Sequence, residues 1–578
     1  MLIIALSTLA SAWLVGAQEV DSDLYHPHAA FAFVRSGERT PTLQDGTPVL
    51  TALGAQQMFT LGQNLRTRYI SGNAPAGLGV QRIAGMSEDG LDNNQIMVQT
   101  SDQQHLISSA QAFMQGLYPP RNIANSNGTQ GSAGGLLSNG SAIDYPLGGY
   151  QYANILSSGQ HDPKSIYVAG SQNCPVAQRD AMMYYRTNKF QNTRAANQAF
   201  YSSLNVDWFE GNLNESTLDY INAMGIYDYL QYQYAHNSNV HRALANDSAF
   251  TGVYDKVRTL ADEQAWYFYG NTSASSTDAD NQAIPGKTLA ASILGSFQKV
   301  IVDRMSPGNP TDMSYPLTFF FGEQEPIVSL VSLMMVDYMD YYFRSIPRFG
   351  SAMIFELFSR GANSTFPSTT NALWVRFHFH NGTDFDNGQL TAFPIFGNGP
   401  SRTDMSWKDF QDLMSRIMMS SIAEWCNACN SASLFCHGVD GPTSSLTSPS
   451  AHKSHSPISP AVGGVIGAIV TLAIAGLIFA LAMLLGGLRF HRVQRHAKSE
   501  LGGFKGSAKL ASDPDLSLAK NAALPAGISF VPESNRWHER VGSWELRQKE
   551  FGGARQDTES MDGIAAIAAQ PVQPEERV

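Results

Sequence analysis

The sequence predicts an α/β ectodomain with a mainly parallel central sheet and flanking helices, carried on one transmembrane helix and followed by a disordered tail. Three observations carry this. Residues 29–34, Ala-Ala-Phe-Ala-Phe-Val, form a short continuous apolar run of strand formers, as expected of a strand covered on both faces. A polar loop with two arginines follows, and then Thr51 can cap a helix whose Met58, Leu61, Leu65 and Tyr69 share one face. Far downstream, residues 461–488 hold no charged side chain and are long enough to cross a bilayer.

The outer elements set the address. Residues 1–17 are almost wholly apolar and end in small residues, which predicts a secretory signal peptide. After residue 488 come Arg489, Arg492, Arg495 and Lys498, so the tail, 489–578, is expected in the cytoplasm and the long N-terminal part outside, as in a single-pass type I protein. Glycosylation sequons at Asn127, Asn139, Asn214, Asn246, Asn271, Asn363 and Asn381 all precede the span. All four cysteines, Cys174, Cys426, Cys429 and Cys436, lie on the same side. Cys426 and Cys429 have zinc-ligand or redox-pair spacing, but no second pair follows at finger spacing. Two disulfides are therefore expected, one closing the short loop among the last three cysteines and one taking Cys174, with the pairing open. Residues 437–460, rich in Ser, Thr and Pro, read as a stalk.

Charge excludes one class of partner. Only 15% of residues are charged and the net charge is −11, the opposite of the basic surface that a nucleic acid requires. Two other histidine pairs suggest metal arms. His26 and His28 precede the first strand and read as a segment packed on the surface. His378 and His380 share one face of a predicted strand over 374–380, and a solvated face is expected for them. No metal site and no cofactor is called for.

The loop Arg35-Ser36-Gly37-Glu38-Arg39-Thr40-Pro41 resembles the R-H-G-x-R-x-P signature of the histidine phosphatase superfamily, in its acid phosphatase and phytase branch. Residues 50–57 and 61–69 look like the family's L-T-x-x-G-x-x-Q and L-G-x-x-L-R-x-R-Y. Residues 98–110 and 116–120 look like V-R-S-T-D-x-x-R-T-x-x-S-A and G-L-F-P-P. The resemblance is specific over 29–120 and returns more weakly over 315–400. It implies a histidine phosphatase fold spanning 18–436, with core segments 24–120 and 311–436 and a helical insert at 121–310. It also implies that 315–321 is a strand, 326–335 is a helix, and the intervening turn holds the family's H-D pair.

The same comparison implies a degenerate site. Ser36 stands at the nucleophilic histidine, Gln99 at the third phosphate-binding arginine, and Glu323 and Gln324 at the H-D pair; Arg35 and Arg39 remain as the phosphate-binding remnant. A serine hydroxyl without a base is a weak nucleophile, and Gln324 cannot donate a proton to a leaving alkoxide. The resemblance therefore implies a pseudophosphatase that binds or scaffolds a phosphate ester or other anion. The alternatives are an active acid phosphomonoesterase with a reshaped site and a receptor or adhesion protein that signals through its tail. Glu323 is expected to fill the phosphate position and pair with Arg35 and Arg39, with Glu325 as the fallback.

Overall fold

A computed structural model describes residues 25–439, apart from 73–81, 122–134, 136, 142, 273–279, 307–313, 362–363 and 383–389. The expected signal peptide, span and tail lie outside the described residues, as do residues 440–460 of the stalk and the sequons at Asn127 and Asn363; residues 437–439 belong to the last helix rather than to a stalk. Among the described residues no helix is long and apolar enough to cross a membrane.

The apolar run 29–34 lies inside a longer strand, β1 (Tyr25–Arg35), and Thr51 caps α1 (Ala52–Arg66) by accepting the Gly54 N–H. Then follow β2 (Ile96–Ser101), α2 (Gln104–Leu117) and β3 (Ile155–Ser158). The helical stretch comprises α3 (Pro175–Met182), α4 (Asn188–Ser202), α5 (Ala223–His236), α6 (Ser238–Asn246), α7 (Val253–Tyr269) and α8 (Ile284–Met305). The chain returns as β4 (Leu317–Gly322), α9 (Glu325–Leu333), β5 (Ala352–Arg360), β6 (Leu373–His380), β7 (Thr391–Phe393) and β8 (Asp404–Ser406). It ends in α10 (Trp407–Ile417), α11 (Ile422–Cys429) and α12 (Leu434–Val439).

The sheet order is β3-β2-β4-β1-β5-β6-β7, with β8 also on β6. The first four strands run parallel, whereas β5, β6, β7 and β8 pair antiparallel. The sheet is therefore mixed rather than mainly parallel. The apolar run 352–355 of β5 is buried on both faces like a parallel strand, so composition does not report its direction. Strand alternation splits the core into two layers. Phe31, Phe33 and Phe320 face α8, α9 and α10. Ala30, Ala32, Val34, Phe319 and Phe321 face α1 and α2. Two elements within 121–310, β3 and α8, belong to this three-layer body, while helices α4–α7 surround an aromatic core of their own.

Cys174 pairs with Cys429 and Cys426 with Cys436, so the short loop is closed from Cys426 and Cys174 takes the middle cysteine. His26 and His28 are part of β1 rather than a surface arm; His28 is buried with its Nε2 on Ser359 Oγ at 2.8 Å. His378 is likewise buried, not solvated. It meets Glu356 of β5 at 3.1 Å, beneath Arg68 and Tyr69 from the turn that ends α1. The alternation of β6 was legible, but not the fact that the end of α1 covers this face.

Candidate functional site

β1 and β4 lie side by side and in register, Arg35 opposite Gly322, so both strands release their loops at one sheet edge. Open α/β sheets bind ligands at this carboxyl edge. Ser36 N–H donates to Gly322 O at 3.0 Å and holds the two loops together. The 35–41 loop then presses on the start of α1, where a Cβ at Gly37 would sit 2.3 Å from Gly54 O. Thr51 Oγ1 also donates to Glu38 Oε2 at 2.6 Å, which fixes the far end of the loop.

Arg39 is bonded to two carboxylates through Nε and Nη1. Its Nε donates to Glu323 Oε1 at 3.1 Å, and its Nη1 donates to both Asp228 oxygens at 3.1 Å. Glu323 therefore takes the position expected of it toward Arg39, but not toward Arg35. Arg35 donates through Nη1 to Pro347 O and lies over the Phe349 ring at 4.2 Å. Its Nε is buried without a partner. Burial lowers the Arg35 pKa, because no carboxylate bonds it directly. Arg39 is also buried, but Glu323 and Asp228 outweigh the desolvation and raise its pKa.

The acids respond to the same field. Burial pushes Glu323 up, yet Arg39 and the His105 hydrogen bond prevail and hold it well below the usual carboxylate range. Glu325, at the start of α9, does not replace it. Burial and the neighbouring Glu323 charge push Glu325 up to about 7.

Ser36 is wholly buried and its Oγ has no hydrogen-bond partner, hence no base in contact. Gln99 does not join the arginines. Its amide turns toward β3 and donates to Ser158 Oγ at 3.5 Å and Lys164 O at 3.3 Å. Gln324 is the N-terminal flank of α9, where its side chain gives no capping bond. Of the sequence-predicted residues, the fold thus gathers Arg35, Ser36, Arg39, Glu323 and Gln324 at one edge and turns the Gln99 amide aside.

Two members of the cluster were missed. His105, in the first turn of α2, bonds Glu323 Oε1 at 2.6 Å. A signal existed, since His105 falls on the second arginine of the V-R-S-T-D-x-x-R-T pattern. Asp228 comes from α5, where it also accepts from Thr42 N–H at 2.9 Å. A lone acid on an insert helix carries no local signal. Two turns on, His236 meets Glu38 Oε2 at 2.8 Å, so one face of α5 clasps the arginine loop.

Chemically, the cluster is a network of internal pairs: Arg39 meets Glu323 and Asp228, and Glu323 also meets His105. Among the described residues no imidazole bonds Ser36 Oγ, and the acid at this edge that can carry a proton near neutral pH is Glu325.

Among solved structures, the chain is similar to the phytase from Citrobacter braakii, at 13% identity over 68% of this chain and 98% of that one, with a TM-score of 0.41. It is similar to Hafnia alvei phytase at 12% identity, over 70% of this chain and 98% of that one, with a TM-score of 0.40. It is also similar to the multiple inositol polyphosphate phosphatase of Bifidobacterium longum, at 12% identity over 64% and 88%, with a TM-score of 0.34. No curated protein matches the chain. The model of branch 2 of the histidine phosphatase superfamily matches residues 30–380. With its signature loop, neighbouring strands and helical insert now placed, the chain belongs to branch 2 of the histidine phosphatase superfamily.

Proposed function

We propose that this chain is a catalytically silent member of its family: a single-span glycoprotein of the secretory route or cell surface whose phosphatase-type ectodomain binds or scaffolds. The observation that carries this reading is Arg39. Glu323 and Asp228 hold the guanidinium where a phosphate would otherwise be recognised. The loss is compound, since Ser36, Gln99, Glu323 and Gln324 replace four groups of the family's pattern. Removing one charge-stabilising group typically costs ~10²–10³ in rate. A Ser36 phosphomonoesterase is disfavoured by burial of its hydroxyl without a base.

The two disulfides fit an oxidising compartment. Asn139, Asn214, Asn246 and Asn381 are exposed, as glycan acceptors must be. The decisive experiment is hydrolysis of an aryl phosphate and of phytate by the full-length chain, from acid to neutral pH, against a mock preparation. No turnover above the mock is expected. Turnover at ordinary enzyme rates, ~1–10³ per second, that vanishes in Arg35→Ala would overturn the reading.

A further inference from the structure

β3 is an outer strand of the sheet: it pairs with β2 and, among the described residues, with no strand on its other side. Ser158 O accepts from Asp102 N–H at 3.2 Å, so the even-numbered residues of β3 turn their peptide groups toward β2. The N–H and C=O groups of Ile155 and Ser157 therefore point away from the sheet and form an open edge. Proteins ordinarily guard such an edge with charge, as at β8 on the opposite side, where Asp404 meets Arg360 and Arg376. β3 has no such guard. Residues 145–160 hold no Lys, Arg, Asp, Glu or His, in a chain that is 15% charged.

Apolar surface adjoins the edge. Leu156 is 39% exposed and Tyr152 58%, and the rings of Tyr145 and Tyr150 pack on Tyr152 at 5.8 and 5.0 Å. Ile143 and Leu147 are exposed as well. At ~200 Å² per large side chain, the open parts of Ile143, Tyr145, Leu147, Tyr152 and Leu156 come to roughly 500 Å². That is the larger part of the ~800 Å² that a stable contact covers on each partner. Self-pairing sets a surface against a copy of itself, so like charges would repel; this uncharged stretch meets that condition. It also holds no glycosylation sequon, Asn139 lying on the turn before it. We propose that β3 is a dimer interface, where two copies of this chain join edge to edge, antiparallel, about a two-fold axis through Leu156. Ile155 then exchanges both peptide hydrogen bonds with the partner's Ser157. Leu156 faces the partner's Leu156 across the axis, in the closer, non-hydrogen-bonded position.

The test is oxidative cross-linking of the full-length chain in detergent. All four native cysteines are paired, so an added cysteine is the free thiol. Leu156→Cys should run mainly as a disulfide-linked dimer on a non-reducing gel, because facing non-hydrogen-bonded positions lie about 4.5 Å apart between Cα atoms, within disulfide reach. Ser157→Cys, one residue off the axis, is held about 8 Å from its copy and should cross-link about tenfold less. That difference separates contact through β3 from association through the apolar run 461–488. Amide exchange is the second measurement. The N–H groups of Ile155 and Ser157 should exchange slowly in the wild type and about tenfold faster in Leu156→Lys, which sets two ammonium groups face to face. A monomeric Leu156→Cys, equal cross-linking at both positions, or equal exchange in the wild type and Leu156→Lys would each overturn the proposal. So would a protected edge in a monomeric chain, which would mean that a strand of another protein occupies it.

Discussion

The molecule contains two arginine–carboxylate centres, and they are built differently. At Glu356 the carboxylate is fully buried and both of its oxygens are bonded several times over, although His378 Nδ1 is left without a partner. Oε1 accepts from Arg68 Nε at 2.7 Å and Tyr69 OH at 2.5 Å. Oε2 accepts from Arg68 Nη2 at 3.1 Å and from Tyr25 OH, and meets His378 Nε2 at 3.1 Å. At Glu323 a single oxygen takes both Arg39 and His105, a fifth of the side chain is open, and neighbouring donors are orphaned. The first is what a structural ion pair requires in a low-dielectric interior. The second fits our proposal of a family site filled from within.

Three changes would break or sharpen that contrast. The largest effect should come from Glu356→Ala, which takes from Arg68 the carboxylate that it bonds in the core. A loss of ~3–5 kcal/mol is expected in denaturant unfolding, and added anions should not restore it. A smaller loss should follow Glu323→Ala, at the lower end of that ~3–5 kcal/mol range because the side chain is 20% exposed. Here phosphate or sulfate should recover part of the stability by refilling the position beside Arg39. Equal anion responses in the two variants would erase the distinction.

The smallest effect concerns Glu325. Its folded pKa is raised to about 7 by burial and the Glu323 charge, so the folded state holds a proton that the unfolded chain releases near pH ~4.5. Stability from this group therefore falls as pH rises between those values and levels off above. Glu325→Gln should flatten that slope and exceed the wild type by about 1–2 kcal/mol at mildly alkaline pH, discounted for partial exposure. Parallel stability–pH curves for the two proteins would count against a protonated Glu325.

How far the sequence could be read follows from where each signal lies. β1, the arginine loop, the Thr51 cap and β4 announce themselves because each is local: an apolar run, a cap residue, a turn. The placement of Glu323 toward the arginine loop was legible for the same reason, since adjacent parallel strands deliver their loops to one edge. Asp228 was not, because its role depends on how an insert helix folds back on the arginine loop. The direction of β5 and the buried side of β6 were also hidden. Both depend on which neighbours cover a face, and strand alternation is silent on that.

The cysteine pairing also has a mechanical consequence. A pull applied at residue 439 enters α12 at Cys436 and passes by a covalent bond to Cys426. It travels one turn of α11 to Cys429 and crosses by a second covalent bond to Cys174, at the start of α3. Tension thus bypasses the chain between Cys429 and Cys436 and is delivered 255 residues upstream. The C-terminal hairpin cannot be peeled away like a zipper. It transmits load as a two-link chain riveted to the body, and the body must yield before the hairpin does.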